Sequence, residues 1–184
     1  MNSSLSARDL AAVAMGAALI AVCSWISIPM TVPFTMQTFA VCLIAALFGL
    51  RRGLWTVLIY LLLGAAGAPV FSGFRGGIAA LLGPTGGYLL GFVFTALIVG
   101  LAAEKLDRGL KALLPAMAVG VLVCYAFGTA WFMVVYARSS GPISLGTALG
   151  WCVLPYLLPD AVKIGLAAVL TGRLDPLLRR GFAA

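Results

Sequence analysis

Two charged side chains stand inside an apolar stretch. In "LPYLLPDAVKIGLAAVL", residues 154–170, Asp160 and Lys163 are three positions apart. On a helix that spacing puts both on one face and within reach of each other. Together they offer a cation for an anionic group and a carboxylate for an N–H donor. A charge at the bilayer centre costs roughly 2.5–3.5 kcal/mol on insertion scales, so this face must turn toward a protein interior or a water-filled cleft. Two uses of the pair are open. In the structural one, Pro159 restarts the helix, as proline does at a first helical position, Asp160 complements the positive helix end, and Lys163 neutralises Asp160. In the functional one, the pair forms a polar site in the outer third of the helix, open to the outside. The nearby helix N-terminus then adds its own attraction for anions.

Two loops offer further candidates. The segment "IPMTVPFTMQT", residues 28–38, carries Thr35 and Gln37 just after Pro29 and Pro33, which block a helix. The segment "GAAGAPVFSGFRGGIAALLGPTGGY", residues 64–88, is rich in glycine and brings one cation, Arg75. Glycines there permit close backbone approach to a polar ligand head, and equally a tight turn packed by small residues. No GK[ST] follows, so a phosphate cradle does not fit. Phe34, Phe71, Phe74 and Tyr88 could wall the apolar body of a ligand, or simply pack the bundle.

Other chemistries lack their residues. There is no histidine, which removes histidine-based triads and the usual proton shuttle. Cys23, Cys42, Cys124 and Cys152 form no C-x-x-C and lie in or beside apolar runs, as packing thiols do. No metal, no cofactor and no enzymatic activity are expected.

The elements that must position these residues are membrane helices. The chain of 184 residues is 63% hydrophobic and only 9% charged, too few charges to coat a water-soluble globule. Six apolar runs are expected to cross, over about 10–28, 39–50, 54–66, 86–103, 113–136 and 149–171. The runs do not alternate as lipid-facing strands would, so the architecture is an all-α bundle of six transmembrane helices. The first is expected to be a retained helix and not a signal peptide. With the N-terminus inside, Arg8, Arg51, Arg52, Lys105, Arg108, Lys111, Arg173, Arg179 and Arg180 fall on the cytoplasmic side, against Arg75 and Arg138 opposite. That bias makes both termini cytoplasmic and turns the loops near 29–38, 68–85 and 139–147 outward. The net charge of +7 follows this topology pattern and does not line a nucleic-acid face. In the first run, Ala14 and Ala18, and likewise Ala17 and Ala21, make small stripes that let another helix approach closely. A single membrane domain spanning 1–184 is expected.

The segments "IPMTVPFTMQTFAV", "GAPVFSGFRGG…LLGPTGGYLLGF" and the "LPD..K" of the last run together resemble the BioY family, the biotin-specific S components of energy-coupling factor (ECF) transporters. The resemblance implies a six-helix bundle in the cell membrane of a bacterium or archaeon, binding biotin with high affinity on its outer side. It implies no ATPase of its own. The partners would be a transmembrane coupling subunit and two cytoplasmic ATP-binding subunits, with the S component toppling in the membrane to release its cargo. Asp160 and Lys163 fall on the family's polar biotin contacts. Lys163 suits the valerate carboxylate and Asp160 the ureido N–H groups, with the swapped arrangement still open and Arg75 a second candidate for the carboxylate. Thr35 and Gln37, with the glycine-rich loop that carries Phe71 and leads to Tyr88, resemble gate and lid. Ala14 and Ala18 match the A-x-x-x-A by which S components dock on the coupling subunit. A stand-alone biotin carrier, with Asp160 titrating to couple proton entry, is the alternative.

Overall fold

The computed structural model describes residues 6–106 and 108–183, with side chains to 177. Helix α1 (Ala7–Trp25) starts at a capping box, in which the Ser6 hydroxyl accepts from the Asp9 N–H while Asp9 accepts from the Ser6 N–H. Asp9 also meets Arg52 at 2.6 Å. Proline at 29 and 33 then keeps the chain extended, and two short strands pair antiparallel, β1 (Ser27–Ile28) and β2 (Phe34–Thr35), with Ser27 opposite Thr35.

Helix α2 (Gln37–Ala65) is one 29-residue element broken at Gly49, where φ is 75°. It covers both of the runs expected over 39–50 and 54–66. The break folds it back on itself. Gln37 hydrogen-bonds Tyr60, whereas 23 positions along a straight helix would separate them by roughly 34 Å. The expected turn at Arg51-Arg52 thus lies two residues earlier, at the glycine, because only a residue without Cβ enters that backbone conformation cheaply. Both broken ends are satisfied by one neighbouring segment. Glu104 accepts from the Leu50 N–H at 2.8 Å, and Arg108 donates to the Leu47 carbonyl at 3.0 Å.

The glycine-rich loop holds a short 3₁₀ turn (Ser72–Phe74) and α3 (Ile78–Leu82). Then come α4 (Gly86–Lys105), α5 (Leu110–Ser140), α6 (Leu145–Cys152) and α7 (Leu154–Ala183). The run expected over 149–171 is therefore two helices. Val153 separates them and α7 begins before Pro155, which its first turn tolerates. Pro159 lies inside α7 and does not restart it. Asp160 and Lys163 are consequently well within a helix, and the expected help from a helix N-terminus is absent.

α4 packs between α2 and α5, and α7 lies across α2 and α5. Tyr60, Phe132, Ile20, Leu113 and Met117 are fully buried at the centre, while Met15, Leu62, Leu122 and Leu158 face outward. Apolar side chains on the outside as well as the inside are what a lipid solvent selects. Among the described residues, five helices are long and apolar enough to cross a membrane: α1, α2, α4, α5 and α7 to Leu177. This is an all-helical multi-pass membrane protein.

Candidate binding site

One cavity gathers residues from the loops over 29–38 and 68–85 and from α2, α4, α5, α6 and α7. Its wall includes Thr35, Gln37, Phe71, Arg75, Tyr88, Asp160 and Lys163. These are seven of the nine residues that the sequence offered for a ligand, brought together although 128 positions separate Thr35 from Lys163, while Phe34 and Phe74 are outside the lining.

The charged pair is part of its wall. Asp160 and Lys163 are 5% and 4% exposed, so both have given up their hydration. Lys163 Nζ donates to Asp160 Oδ1 at 2.7 Å, the i,i+3 contact that the spacing predicts. It also donates to the Thr35 carbonyl at 2.7 Å and lies 3.8 Å from the centre of the Phe34 ring. Tyr125, on α5, donates to Asp160 Oδ2. Each carboxylate oxygen thus has one donor and keeps capacity for another. Taking both charges out of water is costly, and the hydrogen bonds from Tyr125 and to the Thr35 carbonyl offset part of that cost.

The loop over residues 29–38 is fastened to α7. Tyr156 donates to the Val32 carbonyl, and its ring stacks on Phe34 at 6.4 Å. Within the loop, the Thr35 hydroxyl accepts from the Gln37 backbone N–H and donates to Gln37 Oε1. Gln37 Nε2 donates to Tyr60. These contacts hold Thr35 and Gln37 against the cavity.

The glycine-rich loop supplies the second wall. Phe71 is buried edge-on against Tyr60, 5.5 Å between ring centres, and fits because Gly64 has no side chain: a Cβ there would lie 2.0 Å from Phe71 Cζ. Arg75 reaches the cavity from an exposed position and donates from Nε to the Ser72 carbonyl, so its guanidinium is partly committed to its own loop. Tyr88 hydrogen-bonds Thr129 at 2.9 Å. Phe74 is placed differently from the sequence expectation. It is 64% exposed and stacks on Trp25 at 5.1 Å, outside the cavity wall.

The sequence analysis did not single out Tyr125, Tyr156 or Thr95, all of which line the cavity. A tyrosine within an apolar helix carries a polar atom that needs a partner, and this was the available signal. All four cysteines are buried free thiols, and Cys124 and Cys152 line the cavity beside Tyr88 and Tyr156. Among the described residues no group of three metal-ligating side chains occurs.

Ala14 and Ala18 are exposed on α1, whereas Ala17 and Ala21 are buried in the bundle. The two small-residue stripes lie side by side, roughly 60° apart around the helix, on either side of the boundary between its buried and exposed faces. One is used for internal packing and the other is left open.

Known proteins resemble the chain over nearly its full length. It is 40% identical over 171 residues to the biotin transporter BioY of Thermotoga maritima, covering 92% of this chain and 97% of that protein. It is 41% identical over 162 residues to the biotin transporter BioY2 of Lactococcus lactis subsp. cremoris, covering 88% and 86%. A crystal structure of the S-component for biotin from an ECF-type ABC transporter superposes with a TM-score of 0.83 at 27% identity, over 94% of this chain and 95% of that one. The BioY family profile matches residues 1–180. With a biotin S-component's fold, and with its cavity lined by the residues that carry the sequence resemblance, the chain belongs to the BioY family.

Proposed function

We infer that this chain captures biotin and serves in its uptake across the membrane as the S component of an ECF-type importer. The observation that carries this reading is the buried Asp160–Lys163 pair in the wall of the cavity. A ligand with an anionic tail and a ring bearing N–H groups matches a cation beside a carboxylate acceptor. The aromatic wall of Phe71, Tyr88 and Phe92 suits its apolar body. Lys163 takes the valerate carboxylate in this reading and Asp160 the ureido N–H groups, with the buried Thr35 and Gln37 beside them and Arg75 at the exposed end. The chain is a transporter subunit and not an enzyme.

Six crossings are the topology we propose, with the two arms of α2 counted separately because they run antiparallel. Nine basic residues on one side against two on the other support cytoplasmic termini and an outward cavity. The energy comes from partner subunits, a transmembrane coupling protein and two ATP-binding proteins, and docking uses the exposed Ala14–Ala18 face of α1. The membrane is the cell membrane.

Equilibrium binding of labelled biotin to the purified, detergent-solubilised chain tests the capture step without ATP or partners. Saturable binding is the expected result. A folded chain that takes up no biotin would end the substrate assignment. Uptake in cells with and without co-expressed coupling and ATP-binding subunits then separates the importer subunit from a carrier that works alone.

A further inference from the structure

The polar groups of the 29–38 loop and the glycine-rich loop are joined by one directed chain of hydrogen bonds, and it passes through Tyr60, outside the cavity wall. Tyr60 is 0% exposed. Its hydroxyl meets the Val70 carbonyl at 3.0 Å and Gln37 Nε2 on the other side. A carbonyl only accepts, so the Tyr60 hydrogen goes to Val70 and its oxygen is left to accept from Gln37. At the far end, Thr35 Oγ1 faces the Gln37 backbone N–H at 3.3 Å. A backbone N–H only donates, so the Thr35 hydrogen goes to Gln37 Oε1, 2.9 Å away. Both ends of the chain therefore demand the same orientation of the Gln37 amide. The Thr35 carbonyl in turn takes the Lys163 ammonium. Val70 stands at the entry to the glycine-rich loop, and Thr35 lies in the 29–38 loop. A single phenol thus connects both loops with the charged pair.

We propose that Tyr60 is a positioning residue for substrate capture. It holds the two loops in register over the cavity and sets the orientation of the Gln37 amide in the cavity wall. This rests on the reading of the cavity as the biotin site. Tyr60 fills space against Phe71 as well, but a phenylalanine would fill the same space. Val70 would not be stranded by that change either, because the Ser24 hydroxyl reaches the same carbonyl at 2.6 Å. What the hydroxyl alone supplies is the acceptor for Gln37 and, through it, the bridge between Gln37 and Val70.

The test is a double-mutant cycle with Tyr60→Phe and Gln37→Met, read by biotin equilibrium binding and dissociation rate. Tyr60→Phe is expected to weaken binding by about tenfold, mostly through faster dissociation, as loss of one buried hydrogen bond in a shared network does. In the Gln37→Met background the same change is expected to weaken binding by no more than about twofold, since the partner is already gone. A tyrosine that only packs would change nothing, or would cost the same factor in both backgrounds. Either result overturns the proposal.

Amide hydrogen exchange of the empty protein is the second readout. Tyr60→Phe is expected to speed exchange in residues 34–37 and 70–77 while α4 and α5 keep their protection. Unchanged exchange in the two loops overturns the anchoring role, even where the cycle cannot be read. If the wild-type chain takes up no biotin, the substrate reading fails by itself, and exchange still decides for or against Tyr60.

Discussion

The Lys163 ammonium lies 2.7 Å from Asp160 Oδ1, and both residues are almost fully buried on α7. Each is the other's main compensation for lost water. Lys163→Met leaves Asp160 with Tyr125 alone, and removing one partner of a buried pair costs about 3–5 kcal/mol of stability. The double change Lys163→Met with Asp160→Asn removes both charges and should recover much of that loss. Neither variant should regain affinity, because a charge-assisted contact of about 1.5–3 kcal/mol is gone, or roughly ten- to a hundredfold in Kd. Thermal unfolding and biotin binding, measured side by side, check both halves. If the folded double variant binds like wild type, the pair does not hold the ligand.

Tyr125 donates to Asp160 Oδ2 from a different helix while Lys163 takes Oδ1, so the two together fix the orientation of the carboxylate that a ligand meets. Tyr125→Phe keeps the ring and removes this donor. Affinity for biotin should fall by about tenfold, with thermal stability changed far less than by Lys163→Met. Isothermal titration of the two variants in one detergent gives the comparison.

Gly64 lies under the Phe71 ring with no room for a methyl group. Gly64→Ala must therefore push Phe71 off its seat against Tyr60, at about 1–3 kcal/mol for overpacking. Both the thermal midpoint and biotin affinity should drop together. Gly165→Ala is the control, because a Cβ at that position of α7 meets nothing within 4 Å.

The two alanine stripes of α1 give opposite predictions from the same chemical change. Ala18→Leu adds bulk to an exposed face and should leave biotin binding intact while abolishing co-purification with a coupling subunit. Ala17 is 4% exposed, and Ala17→Leu should destabilise the isolated chain instead. Loss of binding in Ala18→Leu, or unimpaired assembly, would remove that face from the docking role.

Much of the site was legible because charges in lipid are expensive. Asp160 and Lys163 stood out against their surroundings, and their i,i+3 spacing carried directly into a 2.7 Å contact. Thr35, Gln37 and Phe71 were legible from loop chemistry, since prolines and glycines mark where a chain leaves the helix. Tyr125 and Tyr156 were not, because inside an apolar run a tyrosine has the same periodicity as a packing residue, and only the third dimension supplies its acceptor. Proline misled at residue 159. A packed helix tolerates an interior proline when neighbours support it, so α7 runs through from Leu154. The reversal inside α2 was seen from Arg51 and Arg52, yet its hinge is Gly49, whose positive φ no hydropathy pattern encodes.

The break at Gly49 has a bearing on biosynthesis. The groups that satisfy its two ends, Glu104 and Arg108, lie 54 and 61 positions further along the chain from their partners at Leu50 and Leu47. When the α2 arms leave the ribosome, neither exists yet. The exposed N–H and C=O groups of the turn must then be served by water or lipid headgroups, and Arg51 and Arg52 are suited to keep the turn at that interface. The hairpin can be drawn into its final depth only once the end of α4 has been made. A nascent chain arrested before Glu104 should therefore hold residues 47–52 accessible to water-soluble reagents, and one arrested after Arg108 has emerged should have begun to shield them.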